Sequence, residues 1–111
     1  MKVLRHHVYE YKKGLRRLIL FTCNSERKQE AIAILKKLNI SFVLLPVLGK
    51  NINIFFGDEV CLEVIKSINK ASLNSYTPEE DFILGVMLGY DRKQQCERYL
   101  IRKEKCLSIA N

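Results

Sequence analysis

The chain predicts a single α/β (α+β) domain in which a small, three-stranded, mainly antiparallel sheet is covered by about five helices. Three observations carry that expectation. Two short apolar runs, Ser41 to Val47 and Ile52 to Gly57, flank the turn signal Leu48-Gly49-Lys50-Asn51 and read as a hairpin. A third run, Leu15 to Thr22, has the length and Leu/Ile/Phe content of a buried strand. Segments of helical periodicity, several with capping signals, occupy most of the remaining chain.

The pattern alone leaves open whether the first segment, Met1 to Gly14, is helix or strand. Read as a helix, it sets Leu4, Val8, Tyr11 and Leu15 on one face at a period near 3.6 residues, with Lys12 and Lys13 at its C-terminal end and Gly14 as the stop. After the strand ending at Thr22, Asn24 or Ser25 caps a helix running to about Leu38. Ala31, Ile34, Leu35 and Leu38 are its buried face, and Asn39 closes it in the left-handed conformation. In the hairpin, Pro46 lacks the N–H that a central strand needs, which puts the first hairpin strand at a sheet edge. Asp58 caps a following helix whose apolar face is Val60, Val64 and Ile68. Residues 15 to 70 are thus a β-α-β-β-α core, ferredoxin-like in part, with the second hairpin strand antiparallel to the first strand of the chain.

Ala71 to Tyr76 is dominated by Ser and Asn and reads as a loop rather than a fourth strand. Thr77-Pro78-Glu79-Glu80 combines a capping threonine, proline at the first helical position and glutamate three residues after the cap. The helix it opens carries Phe82, Ile83, Val86, Met87 and Leu88 and stops at Gly89. Asp91 opens a last helix, Arg92 to about Lys105, with Tyr99, Leu100 and Cys106 as inner positions and a cationic outer face.

At 111 residues and 48% apolar, residues 1–111 fit one core and no second. The longest uncharged apolar runs are far short of the roughly 20 residues that span a bilayer, and the N-terminal stretch lacks a signal-peptide pattern, so the expectation is a cytoplasmic protein without membrane attachment. The net charge is +7, and its distribution is uneven: residues 1 to 17 contribute +5, residues 18 to 88 contribute −1 and residues 89 to 111 contribute +3. Both ends are basic. Such a balance concerns partners and solubility rather than fold.

No reaction is written in the text. Cys23, Cys61, Cys96 and Cys106 stand 38, 35 and 10 residues apart, without the C-x-x-C pairing of a zinc site, and Cys23 and Cys61 read as small core residues. His6 and His7 are adjacent, and neighbours on a helix point about 100° apart, so the pair cannot chelate one metal as i, i+4 histidines do. The five glycines form no phosphate-binding loop. Gly85-x-x-x-Gly89 reads as close helix packing or termination. The acids at 58–59 and 79–81 open helices, where they complement the helix dipole. No cofactor, metal or covalent nucleophile is expected, and the function class favoured is a non-enzymatic, partner-binding accessory protein.

The candidate partner-binding residues are Arg5, His6, His7, Tyr9, Lys12, Lys13, Arg16 and Arg17, where cations are interleaved with aromatic rings. An acidic protein is the first expected partner and a nucleic acid the alternative. Against the latter, no aromatic pair stands at the strand positions with which a ferredoxin-like sheet stacks RNA bases. A homodimer through the exposed edge strand is also expected.

The stretch H-H-x-Y-E-Y-K-K-G-L-R, here His6 to Arg16, with the helix to Leu38 and the NINIFFG strand, resembles a bacterial family known as domain of unknown function 2023. The likeness covers essentially the whole chain. It implies a small α/β fold of three strands and five helices and a homodimer, with no established activity and no binding residue to carry over. Genes of that family tend to stand beside a flavodoxin gene. The resemblance therefore implies a flavodoxin as the acidic redox partner to consider first.

Overall fold

The computed structural model describes residues 1–46 and 49–110. In chain order the elements are α1 (Lys2–Lys12), β1 (Leu18–Asn24), α2 (Lys28–Lys37), β2 (Phe42–Pro46), β3 (Asn51–Gly57), α3 (Glu59–Ile68), α4 (Pro78–Met87) and α5 (Arg92–Ala110). Short 3-10 turns, Ser25–Arg27 and Leu73–Ser75, precede α2 and α4. Among the described residues this is the α+β class expected: five helices and one three-stranded antiparallel sheet. Val47 and Leu48, which end the predicted strand and open the predicted hairpin turn, lie outside the described residues.

The strand order is β1-β3-β2, and both pairings are antiparallel. The first hairpin strand therefore lies at an edge, as Pro46 requires. β3 is central and is covered on both faces, which is why its sequence is a nearly unbroken apolar run rather than an alternation. Ile52, Ile54 and Phe56 point into a core with Ile19 of β1, Leu4 and Val8 of α1, and Ala31, Ile34 and Leu35 of α2. Phe55 points the other way, toward Leu18, Leu62 and Ile65 of α3, Tyr76, and Leu84 and Leu88 of α4. The β-α-β-β-α core has the strand pairing expected of it, while the helices that follow β1 and β3 occupy opposite faces. Phe55 and Phe56 are both fully buried. Each such ring contributes about 1.5–3 kcal/mol, so the two-sided strand is a main source of stability. Asn53 is the polar exception in the centre. It accepts a hydrogen bond from Thr22 Oγ1, its register partner on β1, at 2.6 Å, which offsets the cost of burying the amide.

The first segment is a helix, and it ends earlier than its apolar period predicts. At the end of α1, Gly14 takes φ +76°, its N–H donates to Tyr11 O, and the Leu15 N–H donates to Glu10 O. This left-handed cap turns the chain away. Leu15 is consequently exposed rather than on the buried face, and β1 begins at Leu18 rather than at Leu15. The same paired bonds close α2 at Asn39, where Ile40 folds back as the buried residue and Leu38 is left partly exposed.

Three helix faces differ from those expected. In α3, Leu62 and Ile65 are buried and Val60 is exposed, because two overlapping i, i+3/i+4 series compete there and the sheet selects the one that faces Phe55. In α4, Leu84, Gly85 and Leu88 turn inward, while Ile83 and Val86 face out. In α5, Leu100 and Cys106 are exposed, and among the residues whose burial is described the buried position is Gln95. Tyr99 is half-buried as expected, edge-on to Phe82 with ring centroids 5.7 Å apart. Among the described residues no helix is long and apolar enough to cross a membrane.

Candidate interaction surface

α1 lies on the sheet by Leu4 and Val8, so the residues away from that face of the helical wheel are exposed. Lys2, Arg5, Tyr9 and Lys12, at i, i+3, i+7 and i+10, form one exposed stripe, and Lys13 lies over the Tyr9 ring at 5.5 Å from its centroid. His6 is exposed beside them. The end of α1 meets the end of α2, since Lys12 Nζ donates to Leu38 O at 3.4 Å. Lys36 and Lys37, exposed in the last turn of α2, thereby join the surface. Composition of the N-terminal segment gives no hint of these two. The doubled lysine closing α2 is a visible signal only once α1 and α2 are known to share a sheet face.

The predicted residues divide into two groups. Arg5, His6, Tyr9, Lys12 and Lys13 are exposed together on α1. His7, Arg16 and Arg17 are drawn elsewhere. His7 packs edge-on against Phe21, and its Nδ1 lies 3.3 Å from Arg16 Nη1. The Glu10 carboxylate stands 3.4 Å from His7 Nδ1, 3.6 Å from His6 Nε2 and 3.8 Å from Arg16 Nη1, neutralising this side of the helix. Arg17 reaches Asp58 at 3.4 Å. Asp58 holds the N-cap position of α3 without making the side-chain capping bond expected of it. Burial, followed by hydrogen bonding to that carboxylate, pushes the Tyr11 hydroxyl above its ordinary pKa. Among the described residues, Lys2, Arg5, Lys12 and Lys13 form no ion pair. The exposed stripe keeps its charge.

The second basic segment is on the other side of the molecule and is largely compensated. Asp81 accepts from Arg98 Nε at 2.7 Å and lies 2.9 Å from Arg102 Nη1, and Glu79 pairs with Lys103. Arg98, then Arg102, hold the Asp81 carboxyl below the usual aspartate range against an opposing effect of burial. The acids that open α4 therefore do more than complement its dipole: they tie α5 to it. Glu80 completes the capping box with Thr77 and meets Lys70.

Cys23 and Cys61 are half-buried against the two cores, and burial raises both thiols, whereas Cys96 and Cys106 are exposed. Among the described residues no group of three or more His, Cys, Asp or Glu is arranged to hold a metal ion. What the α1 surface can do is attract and orient an anionic partner, with Tyr9 as an apolar contact in its middle.

Comparison with curated proteins finds none that matches significantly. A family model described as Protein of unknown function (DUF2023) matches residues 2–102, which takes in every strand and most of each helix. The match agrees with a resemblance that covers essentially the whole chain, and the chain belongs to the DUF2023 family.

Proposed function

We propose that the protein is a non-enzymatic cytoplasmic accessory protein that docks an acidic redox protein, a flavodoxin being the leading candidate, through the α1 face. The observation that carries this reading is the exposed stripe of Arg5, Tyr9, Lys12 and Lys13, continued by Lys36 and Lys37 and without ion-pair partners among the described residues. Electron-transfer encounters use small, charge-complementary interfaces that favour fast association over long residence. Mixing the protein with the flavodoxin of the same cell and following flavin fluorescence at rising salt tests it. Association that slows steeply with ionic strength, and again when Lys12, Lys13, Lys36 and Lys37 are reversed to Glu, is the expected result. No interaction at low salt removes the proposal. Tight binding of a nucleic acid at about 150 mM salt, with discrimination of about 1–3 kcal/mol per base pair, replaces it with the alternative.

A homodimer is part of the same reading, and the observation favouring it is an apolar groove of about 520 Å³ between α4 and α5, lined by Phe82, Ile83, Cys96, Tyr99 and Leu100. Leu100 and Leu107 continue it along α5 and are exposed. Contiguous apolar surface of this kind on a small domain marks an interface. Positions 96, 100 and 107, at i, i+4 and i+11, suit two α5 helices crossing a two-fold axis, and this surface displaces the edge strand β2 as the proposed contact. Sedimentation velocity at about 10 µM should show twice the 13.0 kDa of one chain, and Leu100→Glu should return it to one. A wild-type sample sedimenting only at the mass of one chain overturns the dimer.

A further inference from the structure

Behind the α4 and α5 pair, on the sheet face opposite α1, lies a cavity of about 480 Å³. Its apolar floor is Leu20, Leu84 and Leu88, and its wall is polar. Gln95, only 7% exposed, lies directly over Gly85: a Cβ at residue 85 would stand 1.9 Å from Gln95 Oε1. Tyr76, 3% exposed, also lines the cavity, and its hydroxyl meets no hydrogen-bond partner among the described residues. Arg98 and Arg102 complete the wall, sharing the single carboxylate of Asp81, and Arg102 Nη2 donates to Tyr76 O at 3.1 Å.

Each feature of this wall costs stability if it serves packing alone. Glycine inside a helix costs about 0.5–1 kcal/mol relative to alanine. A buried amide and a buried hydroxyl each carry a desolvation cost until they are hydrogen-bonded. Leucine at 95 with alanine at 85 would close the gap without any of these. Two guanidinium groups on one carboxylate also leave the wall with one net positive charge. Arg98 uses Nε and Nη2 on Asp81, which leaves the N–H groups of Nη1 directed elsewhere.

We infer that this cavity is a binding site for a small ring-bearing monocarboxylate. Its carboxylate accepts from Arg98 at the rim, where planar guanidinium and planar carboxylate match. Its ring lies on Leu20, Leu84 and Leu88, and a polar substituent on the ring reaches Gln95. The volume is within the range of small-molecule sites and suits one or two rings. This site is independent of the α1 docking face, and neither reading requires the other.

The test is a 15N-HSQC titration of the full chain with phenylacetate and with indole-3-acetate, using phenylacetamide as the neutral control and acetate as the anion without a ring. Saturable shifts at Leu20, Leu73–Tyr76, Leu84–Leu88 and Gln95–Arg102 are expected with at least one ring carboxylate by about 1 mM, an affinity reasonable for a ligand of ten to fifteen heavy atoms. Phenylacetamide and acetate should bind at least tenfold more weakly. Arg98→Gln should weaken the carboxylate at least tenfold, and Gly85→Ala, which drives the Gln95 amide into the cavity, should abolish saturation. Should Gly85→Ala fail to fold, Arg98→Gln decides, since its side chain is more than half exposed. No saturation by either ring carboxylate, equal binding of amide and acid, or shifts mapping to α1 instead each overturn the inference.

Discussion

Single residues in this fold differ sharply in how much change they tolerate, and the difference is geometric. A Cβ at Gly57 would stand 2.2 Å from the backbone oxygen of Arg17, at φ +142°, where neither the strand end nor the following turn can yield. Gly57→Ala is therefore expected to destabilise by about 3 kcal/mol or more, read as a drop in the urea midpoint. Leu4→Ala, at a fully buried position, should cost about 2–5 kcal/mol by the same measurement because α1 cannot collapse onto the sheet to fill the gap. Asp81 gives a pH signature. Its folded-state pKa lies below the unfolded value because of Arg98 and Arg102, so the stabilisation is present above the ordinary aspartate pKa of about 3.9 and disappears as pH falls through the folded value. Thermal melts from pH 6 downward should lose stability in that acidic range, and Asp81→Asn should flatten that part of the profile.

At the scale of elements, caps and partner helices divide the work. The capping box of α4 is complete, with Glu80 N–H donating to Thr77 Oγ1 and Thr77 N–H to Glu80 Oε1. Thr77→Ala should cost about 1 kcal/mol, and the loss should be confined to the α4 and α5 pair. α5 runs for 19 residues, yet its side chains are exposed from Glu104 to Ser108. Those turns rest on intrahelical bonds alone, so in the monomer their amides should exchange orders of magnitude faster than those of Gln95 to Arg102 in native-state hydrogen exchange. Protection of the same amides at high protein concentration would report the α5 contact proposed above.

For the whole molecule, the sheet separates its two basic segments. α1 and α2 close one face, and α3 and α4 close the other with α5 packed on α4, so the charges at the chain ends never form one surface. They also have different roles. Lys12→Glu with Lys13→Glu removes cations that no acid answers among the described residues, and should leave the melting temperature unchanged or slightly raised while removing the steering proposed above. Arg98→Ala with Arg102→Ala removes the Asp81 pairs that help tie α5 to α4, and should lower stability by about 1 kcal/mol, the exposed part of the pair being discounted for solvent screening. Calorimetry on the two double variants separates the roles.

Local chemistry was enough to determine the α+β class, the four helices that follow β1, the edge position of the Pro46 strand, the α4 capping box, the stop at Gly14 and the left-handed cap at Asn39. In each case the signal is a residue acting on its own backbone within a few positions, and no distant contact is needed. Tertiary structure alone decided which face of α3, α4 and α5 turns inward. Their sequences carry apolar residues on more than one side; only the position of Phe55 and the sheet selects Leu62 over Val60 and Leu84 over Ile83, and only the packing of α5 on α4 at Gly85 selects Gln95 over Leu100. The interaction surface divides in the same way. Its cations and Tyr9 are legible as a charged, ring-bearing segment, but the withdrawal of His7 and Arg16 to Glu10, the departure of Arg17 to Asp58, and the addition of Lys36 and Lys37 depend on which elements the sheet makes neighbours. Charge is written along the chain, and its compensation exists only in three dimensions.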